Sequence, residues 1–364
     1  IMSTVKVGAI RGVSASSDAI TVANDGTCTA NITNNLSNRN LIINGAMQVA
    51  QRGTSSTAND YGTVDRFKVA HANTDEAPTQ EQVDVASGTT PYTLGFRKAF
   101  KLTNGNQTSG AGTSDIIYML YTIEAQDVVN SGWNLLSSSS DITLSFWVKS
   151  SVSQNFFGNV ISLDGTVQGF TYETGTLTAN TWTKITKTIP GNSNIQINND
   201  NGGGLLLEFL IFRGTDQTGS VTLNQWRTYD SSLRNPDMTS TWYTTNDATF
   251  EITGVQLEVG SVATDFEHRS FAQELALCQR YFQIVCGGMD TGTMSTGTGI
   301  GASVTYPVTP RTTPTVTHLA SITSNRTDTP FANGVTINGF AAIAQSTSQG
   351  HPSFHSSFTV AAEL

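Results

Sequence analysis

The residues best suited to binding chemistry in this 364-residue chain are aromatic, and four of them fall in one polar stretch. This stretch, Leu223–Asp247, is rich in turn-forming residues and lies between two segments with strand patterns. A ring exposed on a loop can stack on the apolar face of a sugar, while neighbouring hydroxyl groups bind the sugar hydroxyls. The candidate glycan-binding residues are Trp226, Tyr229, Trp242 and Tyr243. The alternative is that these rings anchor a long loop or fill a subunit interface.

Catalytic patterns are absent from the sequence. It contains no G-x-S-x-G nucleophile elbow, no H-E-x-x-H pattern and no Walker loop. Glycan-cleaving enzymes use two carboxylates about 5–10 Å apart. Glu251 and Glu258 lie on one predicted strand, where they face opposite sides or the solvent. Glu258 is expected to have a structural role, either in hydrogen bonds or in an ion pair, with Arg66 or Arg269 as the candidate partner. We therefore expect a protein that is not an enzyme.

Side chains that bind metals are few and scattered. Cys28, Cys278 and Cys286 lack the spacing of a disulfide framework or of a four-ligand zinc site. The run Asn198–Gly202 supplies oxygens that suit calcium, but the same residues are those that a turn requires. The sequence therefore predicts free thiols, no metal and no other cofactor, with calcium at this run as the open alternative.

The elements that must position these residues are strands. The chain has 54 Thr, 36 Ser, 33 Gly and 27 Asn residues, whereas only 13% of its residues are charged. Thr favours strands and the other three favour tight turns, so the composition predicts an all-β protein. The formal charge is −9 and Lys and Arg do not cluster, which argues against nucleic-acid binding. No apolar run approaches the ~18 residues of a membrane-spanning helix and no signal peptide is evident, so membrane insertion is not expected.

Alternating patterns place most strands between residues 41 and 268. In Asp141–Ser151, four apolar residues alternate on one face. The last predicted strand of this region changes phase at Gly254, which predicts a β-bulge. Many short strands separated by polar turns predict a jelly-roll β-sandwich. Trp147 and Trp182 lie within predicted strands and are expected in its core.

Three further segments flank this sandwich. Ile20–Ile32 alternates about an Asn-Asp-Gly turn, which predicts a hairpin. Ser270 and Gln273 make a capping box before an apolar stripe, which predicts a helix with Cys278 on its buried face. The predicted organisation is an N-terminal connector at 1–40, the sandwich at 41–268, a linking helix at 269–286 and a small C-terminal β tip domain at 287–364.

Two distant stretches resemble parts of a module found in bacteriophage tail-fibre and other virion proteins. Asn38–Thr54 (N-R-N-L-I-I-N-G-A-M-Q-V-A-Q-R-G-T), followed by Val64–Phe67 (V-D-R-F), is similar to the opening of that module. Ile252–Phe282 is similar to its closing strand and helix, and Tyr306–Thr317 (Y-P-V-T-P-R-T-T-P-T-V-T) resembles the start of the tip domain that often follows. The resemblance covers about residues 38–283. It implies a jelly roll similar to carbohydrate-binding modules, carried on a homotrimeric fibre or spike.

The function expected from this resemblance is that of a virion protein that is not an enzyme, most simply a tail fibre that adsorbs to host-surface polysaccharide. The expected partners are two further copies of the chain, mainly through 1–40 and 284–364, and other tail or capsid proteins through the N-terminal segment. The expected location is the virion surface, outside the cell. Two alternatives stay open: a capsid-surface or knob protein, and a glycan-binding module or glycan-cleaving spike of bacterial or phage origin.

Overall fold

Strands account for most of the regular structure. The computed structural model describes residues 7–11, 13, 20–22, 28–30 and 39–364. The strands there are β1 (Ala9–Ile10), β2 (Ile20–Val22), β3 (Cys28–Ala30), β4 (Ser55–Ser56), β5 (Lys68–Ala72), β6 (Thr79–Asp84), β7 (Lys98–Thr103), β8 (Ile116–Glu124), β9 (Asp141–Ser150), β10 (Asn155–Ser162), β11 (Gln168–Thr176), β12 (Thr183–Pro190), β13 (Gly203–Arg213), β14 (Trp226–Thr228), β15 (Thr249–Val259), β16 (Phe282–Asp290), β17 (Gly299–Thr305), β18 (Thr315–Asn325), β19 (Phe331–Asn333), β20 (Gly339–Gln345) and β21 (Ser353–Ala361). The all-β prediction is confirmed.

Helices in the same residues are short. They are α1 (Thr90–Thr93), α2 (Ala125–Val129), α3 (Thr241–Thr244) and α4 (Phe271–Gln279), with a 3₁₀ turn at Thr215–Gln217. Within the described ranges, none of these helices has the length and apolar character needed to cross a membrane.

Two antiparallel sheets build the larger unit. The first sheet has the order β14-β11-β10-β13-β8-β5 and the second has the order β12-β9-β15-β7-β6-β4. Their inner faces share one apolar core. The rings of Phe146 on β9 and Phe209 on β13 meet edge to face across it, with centroids 5.2 Å apart. The predicted jelly-roll β-sandwich is confirmed.

The predicted bulge lies on β15. Its register against β9 shifts between Thr253 and Gln256, and Gly254 has a φ of +64°. A Cβ at this glycine would stand 2.6 Å from Cζ of Phe96, so both the backbone and the space require glycine here. The phase change in the sequence therefore predicted the bulge correctly.

The linking helix is shorter than predicted. Its capping box is present, because the Ser270 side chain accepts from the backbone N–H of Gln273 and the Gln273 side chain accepts in return. Cys278 is fully buried, as the apolar stripe predicts. The helix ends at Gln279, however, and not at 286. The chain continues as β16, which pairs with β21 in an unbroken register. This strand pairing outweighs the helical pattern of the sequence, so residues predicted to be helical form a strand.

A smaller β unit follows. Its two three-stranded sheets have the orders β16-β21-β18 and β17-β20-β19. They enclose a separate core, whose buried apolar residues are Val285, Ile300, Val304, Phe340, Ala342, Ala344, Phe354, Phe358 and Val360. Because β16 begins at Phe282, this unit starts earlier than the predicted boundary at 287.

The N-terminal segment forms a small sheet of its own. β2 pairs with β3 antiparallel, with Thr21 opposite Thr29, as the predicted hairpin requires. β1 adds a third strand beside β2. The predicted Asn-Asp-Gly turn of this hairpin lies outside the described residues.

The sandwich and the smaller unit are joined by two ion pairs, each between a buried and a partly buried residue. We name this group the clasp: Arg66, Glu363, Arg280 and Glu124. Arg66 Nη1 lies 2.7 Å from Glu363 Oε2, and its guanidinium lies 3.4 Å from the ring centroid of Tyr281. Arg280 Nε and Nη2 each donate to Glu124 at 2.9 Å. Burial alone would lower the pKa of Arg66, but the neighbouring Tyr121 and Glu363 raise it. Both stretches that resemble the virion module meet in this clasp.

Candidate functional site

Trp242 and Tyr243 do not lie on a surface loop, so the prediction of exposed rings is wrong for these two. Their side chains are 0% and 1% exposed. Trp242 Nε1 donates to the carbonyl of Thr249 at 3.0 Å, and the Tyr243 hydroxyl donates to Asp115 Oδ2 at 2.9 Å. α3 turns both rings into the core, where their polar atoms still find partners. The two rings anchor the long loop Leu223–Asp247 to the core, which is the alternative role considered in the sequence analysis.

Trp226 and Tyr229 lie at the edge of the first sheet and are half-buried. Trp226 opens β14, packs on Phe170 at 5.6 Å between centroids, and donates through Nε1 to the Pro190 carbonyl at 2.6 Å. The ring of Tyr229 lies over Gly169, where a Cβ would come within 3.3 Å of it. The four predicted rings therefore do not form one site. Glycan binding by Trp226 and Tyr229 stays a prediction.

A different group of rings forms a cleft of about 230 Å³ on the outer face of the second sheet. We name it the aromatic cleft. Its walls come from β9, β12, the bulge of β15, and the segments that follow α1 and β15. The lining residues are Leu94, Phe96, Ser145, Trp147, Lys184, Gly254, Thr264, Asp265, Phe266 and His268.

The floor of the cleft is a cluster of three rings. The Phe96 ring meets Phe266 edge to face at 4.9 Å and lies 5.1 Å from the imidazole of His268. His268 Nε2 donates to the carbonyl of Leu94 at 2.9 Å, which fixes the orientation of the imidazole. The bulge at Gly254 leaves room for the Phe96 ring, so one backbone irregularity creates this floor.

Trp147 forms a half-buried wall of the cleft. It lies opposite Lys184 in the register of β9 and β12. Lys184 and Asp265 are exposed and place one charge of each sign at the rim. An indole face beside hydroxyl, ammonium and carboxylate groups can hold a ring that is apolar on one face and hydroxylated at its edge.

The sequence prediction placed Trp147 and Trp182 in the sandwich core, and this is wrong. Both are half-buried and pack on a smaller apolar cluster outside the main core. The signal for Trp147 was present in the sequence, since Phe146 and Val148 alternate inward along β9 and the residue between them must face outward. The cleft itself was missed because Phe96, Phe266 and His268 are distant in sequence.

The carboxylates considered for catalysis are held by structural partners. Glu251 pairs with Lys149 at 2.9 Å. Glu258 is buried, accepts from the backbone and hydroxyl of Thr264, and lies 3.4 Å from Arg39 Nε. The predicted ion-pair role of Glu258 is confirmed, but the partner is Arg39 and not Arg66 or Arg269.

The residues considered for metal binding and the cysteines have structural roles or are free thiols where the structure describes them. No group of three or more His, Cys, Asp or Glu side chains converges within them. In the run considered for calcium, Asn201 Nδ2 donates to the Arg311 carbonyl at 2.6 Å, so this turn docks the smaller unit. Cys278 and Cys286 are free thiols, and burial raises the pKa of Cys278. The side chain of Cys28 lies outside the described residues.

Comparisons with known proteins give structural similarity alone. No protein-family model and no curated protein matches the chain. Similar solved structures include an enzymatically active domain of tailspike protein 4 from bacteriophage CBA120 (12% identity, TM-score 0.33), matched over 61% of this chain and 21% of that one. A CBM4 structure (12%, 0.30) is matched over 60% and 98%, and a family 11 carbohydrate-binding module from Clostridium thermocellum (11%, 0.25) over 59% and 98% of the two chains. Because every one of these TM-scores is below 0.5, we draw no functional conclusion from them.

Proposed function

We propose that this protein binds saccharides through the aromatic cleft. The observation that carries the proposal is the Trp147 wall above the floor of Phe96, Phe266 and His268. Stacking on such rings satisfies the apolar face of a pyranose, and the rim groups reach its hydroxyls. The cleft opens on one sheet face, which suits a polymer that lies along the surface. Glu251 and Glu258, the carboxylates considered for catalysis, are held in structural contacts, and the activity we propose is binding without cleavage.

The test is a comparison of two tryptophan variants. Trp147→Ala removes the wall of the cleft, while Trp182→Ala removes a half-buried tryptophan from the same apolar cluster without touching the cleft lining. The probes are gluco- and xylo-hexasaccharides and polysaccharides extracted from bacterial surfaces, measured by calorimetry and glycan array. Loss of one stacked ring should weaken binding about tenfold. Equal binding by wild type and Trp147→Ala, or an equal loss in both variants, would contradict the proposal.

The finer proposal is that the protein is a phage tail fibre, present as a homotrimer on the virion and active in host adsorption. It is supported by the resemblance of the two stretches that meet in the clasp to a virion module. Three weak saccharide sites on one axis gain avidity without any change in the single site. Light scattering of the intact chain measures the trimer, and immunogold labelling of phage particles measures the location. A monomer, or labelling confined to the capsid, would favour the alternatives of an isolated glycan-binding module or a capsid-surface protein.

A further inference from the structure

A second group of polar side chains lies on the outer face of the first sheet, remote from the aromatic cleft. We name it the polar cluster: Arg213, Glu208, Asn159, Tyr118 and Tyr229. Asn159 Nδ2 donates to Glu208 Oε2 at 2.7 Å, and Arg213 Nη2 lies 3.6 Å from Glu208 Oε1. The guanidinium of Arg213 lies 4.8 Å from the ring centroid of Tyr118. Burial and the charge of Glu208 raise the pKa of Tyr229, while Arg234 and Arg213 lower it.

This cluster is buried but incompletely bonded. Arg213 is 1% exposed, Glu208 is 2% exposed and Asn159 is 1% exposed. Among the described residues, Nε, Nη1 and Nη2 of Arg213 and Oδ1 of Asn159 have no hydrogen-bond partner. A buried polar atom without a partner costs about 1–3 kcal/mol, and more when it is charged. Several such atoms side by side indicate a place built to receive partners that are not part of the chain.

The segment Gly214–Ser240 follows Arg213 directly and includes β14, which pairs with β11 beside the strand that carries Asn159. It is held to the sheet by hydrogen bonds, among them Asn224 N to the Thr171 carbonyl at 2.8 Å and Tyr229 N to the Val167 carbonyl at 2.9 Å. Most of its residues are exposed or half-buried, including Leu233 at 39%. A segment with many exposed hydrogen bonds and few buried apolar contacts opens at low free-energy cost.

From these observations we infer that the polar cluster is a second saccharide site, closed by the Gly214–Ser240 segment, which takes a neutral sugar through a vicinal diol. One hydroxyl accepts from the guanidinium of Arg213 and the other donates to Glu208 or to Oδ1 of Asn159, so the diol supplies hydrogen-bond partners that the cluster lacks. Tyr229 supplies a ring at the edge. The carboxylate of Glu208 disfavours an acidic sugar at the same position.

This inference rests on the proposed function only for its ligand class, because none of its residues lines the aromatic cleft. The experiment therefore uses the Trp147→Ala background, in which binding at the aromatic cleft is weakened about tenfold. The probes are methyl β-glucopyranoside, its 2-deoxy and 3-deoxy analogues and methyl glucuronoside, followed by saturation-transfer NMR. We expect binding of the glucoside and a loss of about tenfold or more for each deoxy analogue, because a lost hydroxyl leaves buried groups unpaired. We expect a similar loss for the glucuronoside, because its carboxylate is repelled by Glu208.

Two variants and one measurement without mutation complete the test. The double variant Arg213→Met/Glu208→Gln removes both charges together, so that neither is left buried alone, and should abolish glucoside binding. Arg326→Met removes an exposed arginine of the smaller unit; it is the control for loss of an arginine and should leave binding unchanged. Hydrogen exchange on the unmutated chain should slow within Gly214–Ser240 when the glucoside is added. No binding in the Trp147→Ala background together with unchanged exchange would overturn the second site, whereas loss of hexasaccharide binding in Trp147→Ala alone concerns only the aromatic cleft.

Discussion

Replacement of Trp242 by alanine should destabilise the protein strongly and leave saccharide binding intact in whatever fraction stays folded. A tryptophan buries about 150–250 Å², which at ~25 cal/mol per Å² corresponds to about 4–6 kcal/mol as an upper bound. Measured losses for buried large aromatics are about 3–5 kcal/mol, and the lost bond from Nε1 leaves the Thr249 carbonyl without this partner. For a unit of this size, the melting temperature should fall by about 6–20 °C.

The assay is urea unfolding followed by tryptophan fluorescence, with saccharide affinity measured below the transition. Trp226→Ala is the matched control, since this indole is half-buried at a sheet edge and should cost less stability than Trp242→Ala. If Trp242→Ala kept the wild-type unfolding midpoint and lost saccharide binding, the assignment of Trp242 to the core would be refuted. The original prediction of a surface aromatic site would then be restored.

Three further outcomes are expected. Gly254→Ala should lower the free energy of unfolding by about 2–5 kcal/mol, because an alanine is strained at this positive φ and its Cβ would crowd the Phe96 ring. An unchanged denaturation midpoint would contradict this. In the native protein iodoacetamide should label the exposed Cys286 but not Cys278, because burial raises the pKa of the Cys278 thiol. Peptide mapping that finds labelled Cys278 before unfolding would disprove this expectation. Burial would raise the pKa of Glu124, but the hydrogen bonds from Arg280 lower it below its ordinary value of 4.5. The pair therefore stabilises the folded protein above pH 4.5, and this stability is lost as the pH falls through the lowered pKa of the folded state. Arg280→Gln should flatten that acid-side fall in melting temperature, and an unaltered slope would count against the pair.

The fold followed from the sequence where a pattern is local. Period-two alternation placed β9, a phase change at Gly254 placed the bulge, and a capping box placed the start of α4. The end of α4 did not follow, because β16 is decided by its pairing with β21, about seventy residues further along. Local propensity carries no information about such a distant partner.

The candidate site was harder to predict for the same reason. The residue type alone does not distinguish a core aromatic from a surface one, so Trp242 was predicted to be exposed although it is buried. The aromatic cleft needs Phe96, Trp147 and Phe266 to converge from three segments, and no spacing in the chain records that convergence. The outward direction of Trp147 was the one part that alternation could have supplied.

The clasp also dictates an order of events during synthesis. Arg66 meets a partner 297 residues downstream, and the Tyr61 hydroxyl donates to the carbonyl of Leu364, 303 residues away. Closing a loop of this length costs about 2 kcal/mol more entropy than closing one a tenth as long. The sheets of the sandwich complete their pairing with β15, more than a hundred residues before Glu363 emerges from the ribosome. The sandwich therefore folds first, and the smaller unit packs on it afterwards. A nascent chain stalled before Glu363 would contain a folded sandwich in which Arg66 still lacks its carboxylate partner.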